Sequence, residues 1–456
     1  MKKTVCIIVD HPDRDLAGLT YLSEELAKKN FSVILVPMYF SHEVFLIKPT
    51  YLIINHARKG KDFSSGIDML IKFSEDIGIK TFVLDTEGGL NFSNIYKKNL
   101  HESIHKVDKY FLWGKNKLKL VNKSTKKKFV VTGHPKYDLF KLNNYKTNKL
   151  ESFKKKFPFK YILIITSFVN FVPEKSIKKD IRFFASEKAS PEFEKKYMKL
   201  ALKDFYNSIE LLKFIIEQNP KEKFLIRPHP FENKDFYRKE FYRFKNVLIK
   251  NDSDIFFYFR NAKFVINHNC QTSFESVFAK KECINISSEV SERTSNLRNI
   301  TLNISEKTKL NKFLRKKATF SNSNKKNKFV FNYINNIKHN SASIILNEIL
   351  KFKKNEPNDY TFFSIFKYYI ESRGYISLFK FFIKIIINPK FFLIIKDLFG
   401  FGMYYRKKIT LKDVVNNVRK SSKKNLLIYK FNSKYFYKKI SYFSNSYQIS
   451  AKKNYN

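Results

Sequence analysis

The chain is poor in cysteine, and its few cysteines follow no metal-binding pattern. It has three in 456 residues, Cys6, Cys270 and Cys283, and none lies in a Cys-x-x-Cys or Cys/His spacing. This argues against a disulfide scaffold and against a zinc site. A helix terminus with basic side chains can neutralise a phosphate without a cation. We therefore expect a reducing, cytoplasmic environment and no metal or other cofactor.

Long apolar runs are also absent. The chain passes from Lys2 and Lys3 directly into an apparent strand, which leaves no room for the apolar core of a signal peptide. No window contains about 18 consecutive uncharged apolar residues, so no membrane-spanning helix is predicted. We expect a cytoplasmic protein that is peripheral at the inner face of the cell membrane.

Acidic residues are scarce relative to basic ones. Asp and Glu number 41 against 88 Lys and Arg, for a net charge of +47. Such a surplus normally indicates an anionic partner, such as nucleic acid, anionic lipid or a phosphorylated substrate. Here the lysines are spread along the whole chain, whereas a specific nucleic-acid binder usually concentrates its charge on one element. We therefore do not expect a nucleic-acid partner.

Short apolar strands alternate with helical stretches in two regions of the sequence. The first has predicted strands at 5–9, 31–36, 51–55, 81–84, 109–113 and 128–131, and a helix at 16–29. The second has strands at 161–166, 223–227, 264–267 and 282–286, and a long helix at 198–218. Such alternation is typical of a parallel sheet covered on both faces by helices. We predict an α/β protein with two Rossmann-like lobes, followed by a helical, basic C-terminal extension.

The predicted boundaries follow two polar stretches. Residues 142–156, rich in Lys and Asn, are interpreted as a linker between the lobes, and the turn-rich residues 321–328 as the end of the second lobe. This gives a first lobe at 1–145, a second lobe at 157–320 and an extension at 329–456.

Part of the extension is unusually apolar. Residues 375–387 are dominated by Phe, Ile and Leu, interrupted at helical spacing by one polar stripe, Ser377, Lys380, Lys384 and Asn388. One interpretation is a helix that packs on the lobes. The other is a helix in the lipid interface, with its lysines and the basic stretch 420–424 near anionic headgroups.

Polar clusters follow many of the predicted strands. Ligands of doubly wound sheets bind outside the carboxyl ends of the strands, so these clusters supply the candidate site residues. The candidate catalytic residues are Asp85, Glu87 and His229, and the candidate substrate-binding residues are Asp10, Arg14, His56, Arg58, Gly88, His134, Arg227, Thr272, Ser273 and Glu275.

Chemistry suggests a role for each cluster. Two prolines restrict the backbone around His229, and the guanidinium of Arg227 suits phosphate, although the segment could be only a rigid turn. Residues 268–276 form a strand-to-helix junction in which Thr272 or Ser273 caps a helix that favours an anion. Thr272-x-x-Glu275 also fits a capping box, which needs no ligand.

The segment 85–89 places two carboxylates before two glycines. A carboxylate there can deprotonate an acceptor hydroxyl, and Gly88 allows close backbone approach, although an acidic surface turn fits equally. The basic segment 56–61 lacks the Gly-Lys-Ser/Thr ending of a Walker loop. Its His56 and Arg58 are candidate acceptor or phosphate contacts, or parts of a solvated loop.

Several of these motifs, in this order, resemble those of bacterial surface carbohydrate biosynthesis proteins. More distantly they are similar to GT-B transferases that use CMP-activated acidic sugars, including capsule Kdo transferases and bacterial sialyltransferases. The matching motifs lie within about residues 1–300 and are Val9-Asp10-His11-Pro12-x-Arg14-Asp15-Leu16-x-Gly18, Asp85-Thr86-Glu87-Gly88, Val131-Thr132-Gly133-His134-Pro135-Lys136-x-Asp138, Arg227-Pro228-His229-Pro230 and Gln271-Thr272-Ser273-Phe274-Glu275.

The resemblance implies a GT-B-like arrangement, with an acceptor lobe at 1–145 and a nucleotide-sugar donor lobe at 157–320, and it implies roles for individual residues. His229 corresponds to a histidine that contacts the donor phosphate, and Thr272 and Ser273 to a hydroxyl pair on the same phosphate. Asp85 or Glu87 corresponds to the acid that acts as base, although Thr86 stands where the family motif has another acid. The implied partners are a nucleotide-sugar donor, such as a CMP-linked acidic sugar, and a saccharide or lipid-linked acceptor.

Three interpretations of function remain open at this point. The leading one is glycosyl transfer onto a surface polysaccharide, such as capsule or lipopolysaccharide. The second is a CDP-glycerol-type glycerophosphotransferase or a nucleotide-sugar epimerase on the same architecture, although an epimerase normally has a glycine-rich segment with paired acids where this chain has Gln271-Thr272-Ser273. The third is a non-catalytic basic module that binds membrane or nucleic acid, which leaves the polar clusters at strand ends unexplained.

Overall fold

A computed structural model describes most of the chain and divides it into two compact units. The described residues are 3–38, 41, 44–47, 49–57, 65–86, 104–142, 147–169, 171–173, 191–288, 297–316, 323–352, 409, 411–419, 426–430 and 447–451. The first unit comprises residues 1–151 and 331–456, and the second comprises residues 152–330.

The first unit is built on an eight-stranded sheet whose order is β13-β14-β2-β1-β3-β4-β5-β6. Its parallel strands are β1 (Thr4–Val9), β2 (Ser32–Pro37), β3 (Tyr51–Ile54), β4 (Lys80–Leu84), β5 (Lys109–Leu112) and β6 (Phe129–Val131). Nearly every residue of these strands is buried, which explains why they appear in the sequence as continuous apolar runs. The chain moves from β1 to β2 on one side and to β3 on the other, so the topological switch point lies between β1 and β3.

Helices and a C-terminal strand pair complete the first unit. The helices are α1 (Leu16–Lys28), α2 (Val44–Ile47), α3 (Ser65–Asp76), α4 (Pro135–Asp138) and, after the second unit, α12 (Ser341–Leu350) and α13 (Leu411–Asn417). The antiparallel pair β13 (Leu426–Lys430) and β14 (Tyr447–Ala451) joins the edge strand β2. The extension, predicted to be helical, thus also contains two strands, which left no local signal because they pair with an edge hundreds of residues away.

The second unit contains a six-stranded, wholly parallel sheet of order β12-β11-β10-β7-β8-β9. Its strands are β7 (Tyr161–Ile165), β8 (Phe224–Arg227), β9 (Val247–Ile249), β10 (Ala262–Asn267), β11 (Cys283–Asn285) and β12 (Leu302–Asn303). In chain order this is the 3-2-1-4-5-6 arrangement of the Rossmann fold, whose switch point lies between the first and fourth strands, here β7 and β10. The predicted α/β class with two Rossmann-like units is confirmed.

Helices cover the second sheet and extend into both stretches that were predicted as irregular. They are α5 (Asn148–Lys156), α6 (Pro191–Gln218), α7 (Lys234–Phe241), α8 (Ile255–Asn261), α9 (Ser273–Phe278), α10 (Lys307–Lys316) and α11 (Ser323–Tyr333). The stretch 142–156, expected to be a linker, contains α5 because Leu150, Phe153 and Phe157 form a buried stripe among the lysines. Likewise α11 begins inside the stretch expected to end the second lobe.

Asn336 is one of several residues in the returning segment that bond to the rest of the first unit. The side chain of Asn336 accepts a hydrogen bond from the His134 backbone N–H at 2.8 Å and donates to Asp138 at 2.6 Å. Gly133 approaches this side chain with a positive φ of 82°, and a Cβ at that position would overlap the Asn336 side-chain oxygen.

Gly133→Ala therefore tests this attachment, with Gly78→Ala as the matched control. Gly78 has a similar φ of 79°, but a Cβ there meets nothing within 4 Å. Both substitutions carry the cost of a left-handed alanine, and only the first adds a clash. We expect Gly133→Ala to lower the free energy of unfolding by about 1–3 kcal/mol more than Gly78→Ala in urea titrations. Equal losses would show that the Asn336 contact is not needed.

Candidate functional site

In the first unit, Asp10 and Arg14 form an ion-paired cluster at the carboxyl end of β1. Arg14 contacts the carboxylate of Asp10 and lies 3.1 Å from that of Asp15. Asp15 is fully buried and also accepts a hydrogen bond from the His11 backbone N–H at 3.1 Å. Burial raises the pKa of Asp15, whereas the Arg14 guanidinium opposes the rise. The cluster thus presents a cation whose position is fixed by two carboxylates.

The candidate base Asp85 lies at the carboxyl end of β4 and is held by aromatic donors. Its carboxylate accepts from the Tyr110 hydroxyl at 2.8 Å, and its carbonyl accepts from the Trp113 indole at 2.6 Å. The ring of Trp113 lies 5.1 Å from that of His134 and 5.5 Å from that of Tyr137, and the ammonium of Lys136 lies 4.7 Å from its centroid. The structure therefore brings Asp85 and His134 into one aromatic cluster.

The predicted substrate contact His134 is a core residue of this cluster. Its side chain is fully buried, and burial together with Lys136 and Arg14 holds its pKa well below the usual value. His134 is therefore a buried member of this cluster, and its role as a substrate contact stays a prediction. His56 is half-buried after β3, while Arg58, Glu87 and Gly88 lie outside the described residues, as do residues 375–396 and 420–424.

In the second unit, the two predicted phosphate-binding segments flank the carboxyl end of β7. The backbone N–H of Thr166 donates to the Arg227 carbonyl at 3.4 Å on one side. On the other side, the backbone N–H of His268 donates to the Ile165 carbonyl at 3.1 Å. The end of β7 is one wall of the switch point, where Rossmann folds bind their ligands.

His229 follows β8 in a compact turn that determines its tautomer. Its Nδ1 accepts a hydrogen bond from the Phe231 backbone N–H at 3.2 Å, so the neutral ring carries its proton on Nε2. The same turn occurs at the other His-Pro sequences, where Asp13 donates to His11 Nδ1 at 3.1 Å and Lys136 donates to His134 Nδ1 at 3.2 Å. Of the three histidines, His229 is the one that is only half-buried. Its ring is therefore more accessible to a ligand than the rings of His11 and His134.

Glu232, which the sequence analysis missed, holds the His229 turn in place. It is fully buried and accepts hydrogen bonds from the His229 and Phe168 backbone N–H groups and from the Thr166 and Tyr237 hydroxyls. Burial raises the pKa of Glu232 to about 7, against the opposing effect of these donors. In the sequence, Glu232 could have been recognised by its position three residues after His229.

Glu232→Gln is expected to remove a pH dependence of stability. Between pH 4.5 and about 7 the folded carboxyl holds its proton while the unfolded one releases it, so the free energy of unfolding falls as the pH rises. At about 1.4 kcal/mol per pKa unit, this group accounts for a fall of a few kcal/mol. Denaturant titrations from pH 4.5 to 7.5 should show a flatter profile in the variant. If the wild type and the variant gave parallel curves of stability against pH, Glu232 would have the same pKa in the folded and unfolded states.

Arg227 is buried beside the same turn, with part of its hydrogen-bonding capacity unused. Its side chain is 5% exposed, and its guanidinium lies 5.4 Å from the Tyr258 ring centroid. One terminal nitrogen reaches the Ser253 carbonyl at 3.5 Å, and Nε has no hydrogen-bond partner among the described residues. A buried guanidinium whose N–H donors are not all hydrogen-bonded is suited to binding a phosphate.

The junction between β10 and α9 is organised by Asn267 and is not a capping box. The Asn267 amide donates to the hydroxyls of Ser273 at 2.7 Å and Thr272 at 3.3 Å. Thr272 is the residue before α9, but its side chain makes no capping hydrogen bond, so the expected side-chain cap is wrong. Ser273 is fully buried and donates to the Cys270 carbonyl at 3.1 Å, whereas Thr272 is half-exposed. Glu275 is buried, at 3% exposure.

The two hydroxyls are therefore expected to behave differently when each is removed. Ser273→Ala should lower the melting temperature, because it leaves buried polar groups without a partner at a cost of about 1–3 kcal/mol. Thr272→Ala should leave stability within about 0.5 kcal/mol and weaken nucleotide binding. Melting curves with and without nucleotide separate the two effects. Unchanged nucleotide affinity in Thr272→Ala would exclude this hydroxyl from the site.

Among the described residues, no group of three or more His, Cys, Asp or Glu side chains is placed to hold a metal ion. The absence of a cofactor remains a prediction. None of the described helices has the length and apolar character needed to cross a membrane.

No family model matches the chain, and no curated protein matches its sequence. Solved structures similar to it include the UDP-GlcNAc 2-epimerase of Methanocaldococcus jannaschii in complex with UDP-GlcNAc and UDP, at 15% identity and a TM-score of 0.48, covering 77% of this chain and 100% of that one. A putative UDP-N-acetylglucosamine 2-epimerase from Listeria monocytogenes aligns at 15% identity and a TM-score of 0.49, covering 79% and 100%. A variant of the wall teichoic acid polymerase TagF aligns at 11% identity and a TM-score of 0.49, covering 77% and 88%.

Proposed function

We propose that this protein is a glycosyltransferase that binds the phosphate of a nucleotide-activated sugar in its second unit. The observation that carries the proposal is the placement of Arg227 and His229 at the carboxyl end of β8, beside the switch point of a Rossmann-ordered sheet. The buried Arg227 guanidinium has an Nε–H without a partner among the described residues, and the neutral ring of the half-buried His229 carries its proton on Nε2. Such donors stabilise the charge that develops on a leaving phosphate.

The first unit is proposed to bind the acceptor, a saccharide or a lipid-linked saccharide. Asp85 and Glu87 are the candidate bases that remove the acceptor proton. Arg14 and His56 follow β1 and β3, which flank the switch point of the first sheet, and are proposed acceptor contacts. Asp10 is proposed to orient Arg14, since the two side chains form an ion pair.

A thermal-shift screen of nucleotides tests the donor class. A ligand that binds the folded state raises the melting temperature by mass action, by about 2.7 kcal/mol of added stability at 100 times its dissociation constant. CMP, CDP and UDP should be compared. We expect CMP to give the largest shift, as for a CMP-linked acidic sugar. A shift with CDP alone would favour glycerophosphate transfer, and no shift with any of them would contradict the proposal.

We further propose that residues 375–396 hold the protein at an anionic membrane face. Deleting the C terminus would be an ambiguous test, because Arg419 forms ion pairs with Glu24 and Glu25 of α1 at 2.6 Å, and β14 pairs with β2. The better variant replaces Lys380, Lys384 and Lys390 by Glu within the full chain. It should sediment less with vesicles that contain anionic lipid, while the wild type sediments in proportion to anionic content. Equal sedimentation would assign this stretch to the protein core.

A further inference from the structure

Although lysines occur along the whole chain, the fold collects a group of them on a part of the first unit that has no acidic residue. Residues 109–137, which run from β5 through its crossover to β6 and into α4, contain nine lysines and no Asp, Glu or Arg. Six exposed lysines define what we call the lysine surface: Lys115, Lys119, Lys123, Lys126, Lys127 and Lys338. The first five lie on the crossover, at the β6 edge of the sheet.

Lys338 joins this surface through a shared aromatic ring. The ammonium groups of Lys115 and Lys338 lie 5.3 Å and 4.9 Å from the Phe331 ring centroid. The segment that carries Lys338 is tied to the start of the crossover, because the Asn335 backbone N–H donates to the Trp113 carbonyl at 2.7 Å. Residues 331–347 also contain no acidic residue, so this second segment adds positive charge without a counter-charge.

The lysine surface has no counter-charge of its own among the described residues, since none of its six lysines forms an ion pair there. Exposed lysines elsewhere in the described chain, such as Lys28 and Lys156, lie 2.9 Å and 2.6 Å from a carboxylate. Asp108, which borders the acid-free stretch, is occupied by Lys80 at 3.3 Å and by the Thr81 backbone N–H at 2.8 Å. An anionic partner would therefore relieve the mutual repulsion of these lysines.

The composition of the lysine surface favours a membrane over a nucleic acid. Residues 114–128 contain no aromatic residue on which a base could stack, and no arginine that could read a base edge. A lysine ammonium is a strongly hydrated point charge on a flexible stem, which suits attraction to many mobile headgroups. Clusters of about four to eight basic residues are a common signature of binding to anionic lipid.

We propose that the lysine surface docks this protein on an anionic lipid bilayer. The inference rests on the proposed membrane association and assigns part of it to a surface separate in sequence from residues 375–396. Docking through this surface holds the first unit, which is the proposed acceptor-binding unit, at the membrane that carries a lipid-linked acceptor.

Charge reversal within the full-length protein tests the proposal. The surface variant replaces four of the lysines: Lys119→Glu, Lys123→Glu, Lys126→Glu and Lys127→Glu. The control makes the same change in net charge at four exposed lysines of the second unit that lie among acidic residues: Lys221→Glu, Lys223→Glu, Lys239→Glu and Lys245→Glu. Both are sedimented with phosphatidylcholine vesicles of graded phosphatidylglycerol content. We expect the surface variant to need roughly 10- to 100-fold more anionic vesicle than wild type for half-maximal binding, and the control to stay within about threefold.

A chemical footprint on the wild type gives an answer without any substitution. Acetylation should slow at Lys119 and Lys123 when phosphatidylglycerol vesicles are present, and should proceed unchanged at Lys221 and Lys239. Peptide mass spectrometry measures both pairs in one sample. Acetylation of the lysine surface at the same rate with and without vesicles would overturn the proposal, as would a wild type that sediments with no vesicle.

The same variants separate this proposal from the others. Equal weakening in the surface variant and the control would show that only total charge matters, and would overturn the lysine surface. A surface variant that binds vesicles like wild type but loses binding to double-stranded DNA would assign these lysines to a nucleic acid instead. The surface variant should transfer sugar to a soluble saccharide at the wild-type rate. If the wild type transfers no sugar to any acceptor while its lysine surface still binds vesicles, the proposed function fails and the membrane surface stands.

Discussion

Replacing His229 by asparagine is expected to slow sugar transfer by roughly 100- to 1,000-fold, the usual effect of losing one donor to a charged transition state. The asparagine oxygen can still accept from the Phe231 backbone N–H, as Nδ1 does now at 3.2 Å, so the turn should persist. What disappears is the Nε2–H. Single-turnover assays with the nucleotide sugar chosen by the thermal-shift screen would measure the loss.

Two further variants separate the effect of losing the Nε2–H hydrogen-bond donor from the effect of disrupting the His229 turn. His229→Gln keeps an amide N–H near the position of Nε2 but loses the acceptor for Phe231, so we expect it to retain more activity than His229→Asn and less stability. His339→Ala changes an exposed histidine of the first unit and should have no effect. If His229→Asn turns over at the wild-type rate with intact nucleotide affinity, His229 belongs to a structural turn.

The second large effect is expected at the acidic segment after β4. Glu87→Gln or Asp85→Asn should reduce transfer by roughly 100- to 10,000-fold, the range for removal of a general base, while donor binding is preserved. The structure provides a control for the buried position, because Tyr110→Phe removes the 2.8 Å hydrogen bond to Asp85 and leaves its carboxylate. We expect that variant to lose stability and keep transfer activity.

The general base is identified by which of the two substitutions, Glu87→Gln or Asp85→Asn, reduces sugar transfer. A loss confined to Glu87→Gln would identify Glu87 as the base and Asp85 as its buried support. Normal transfer in both variants would place the base elsewhere, with Asp10 and Asp13 as the next candidates after β1.

Much of the fold could be predicted from the sequence because its parallel strands are buried on both faces. β1, β2 and β7 are continuous apolar runs, and their predicted ends fall within a residue or two of the observed ones. β9 was missed because it is short and only half-buried, so its residues carry a weak apolar signal. β14 was missed because its partner, β2, lies more than 400 residues earlier in the chain.

The site could be predicted in part, for a similar reason. Arg227 and His229 are recognisable because prolines and a strand end surround them within four residues. The hydrogen bond between Asp204 and His268 gave no signal, since Asp204 sits inside a long helix and only the fold brings it to His268, 64 residues away. Likewise the burial of Ser273 and His134 could not be read from their motifs, because polar residues near strand ends are candidates for either the surface or the core.

The most direct test of glycosyl transfer is a mass-spectrometric analysis of what the full-length protein does to a panel of nucleotide sugars. The panel should include CMP- and UDP-linked sugars, with CDP-glycerol as a comparison, each offered with saccharide and lipid-linked acceptors. We predict release of free nucleotide together with an acceptor heavier by one sugar, both strongly reduced in His229→Asn. A nucleotide sugar whose mass stays unchanged while its sugar is epimerised, or release from CDP-glycerol alone, would contradict the account.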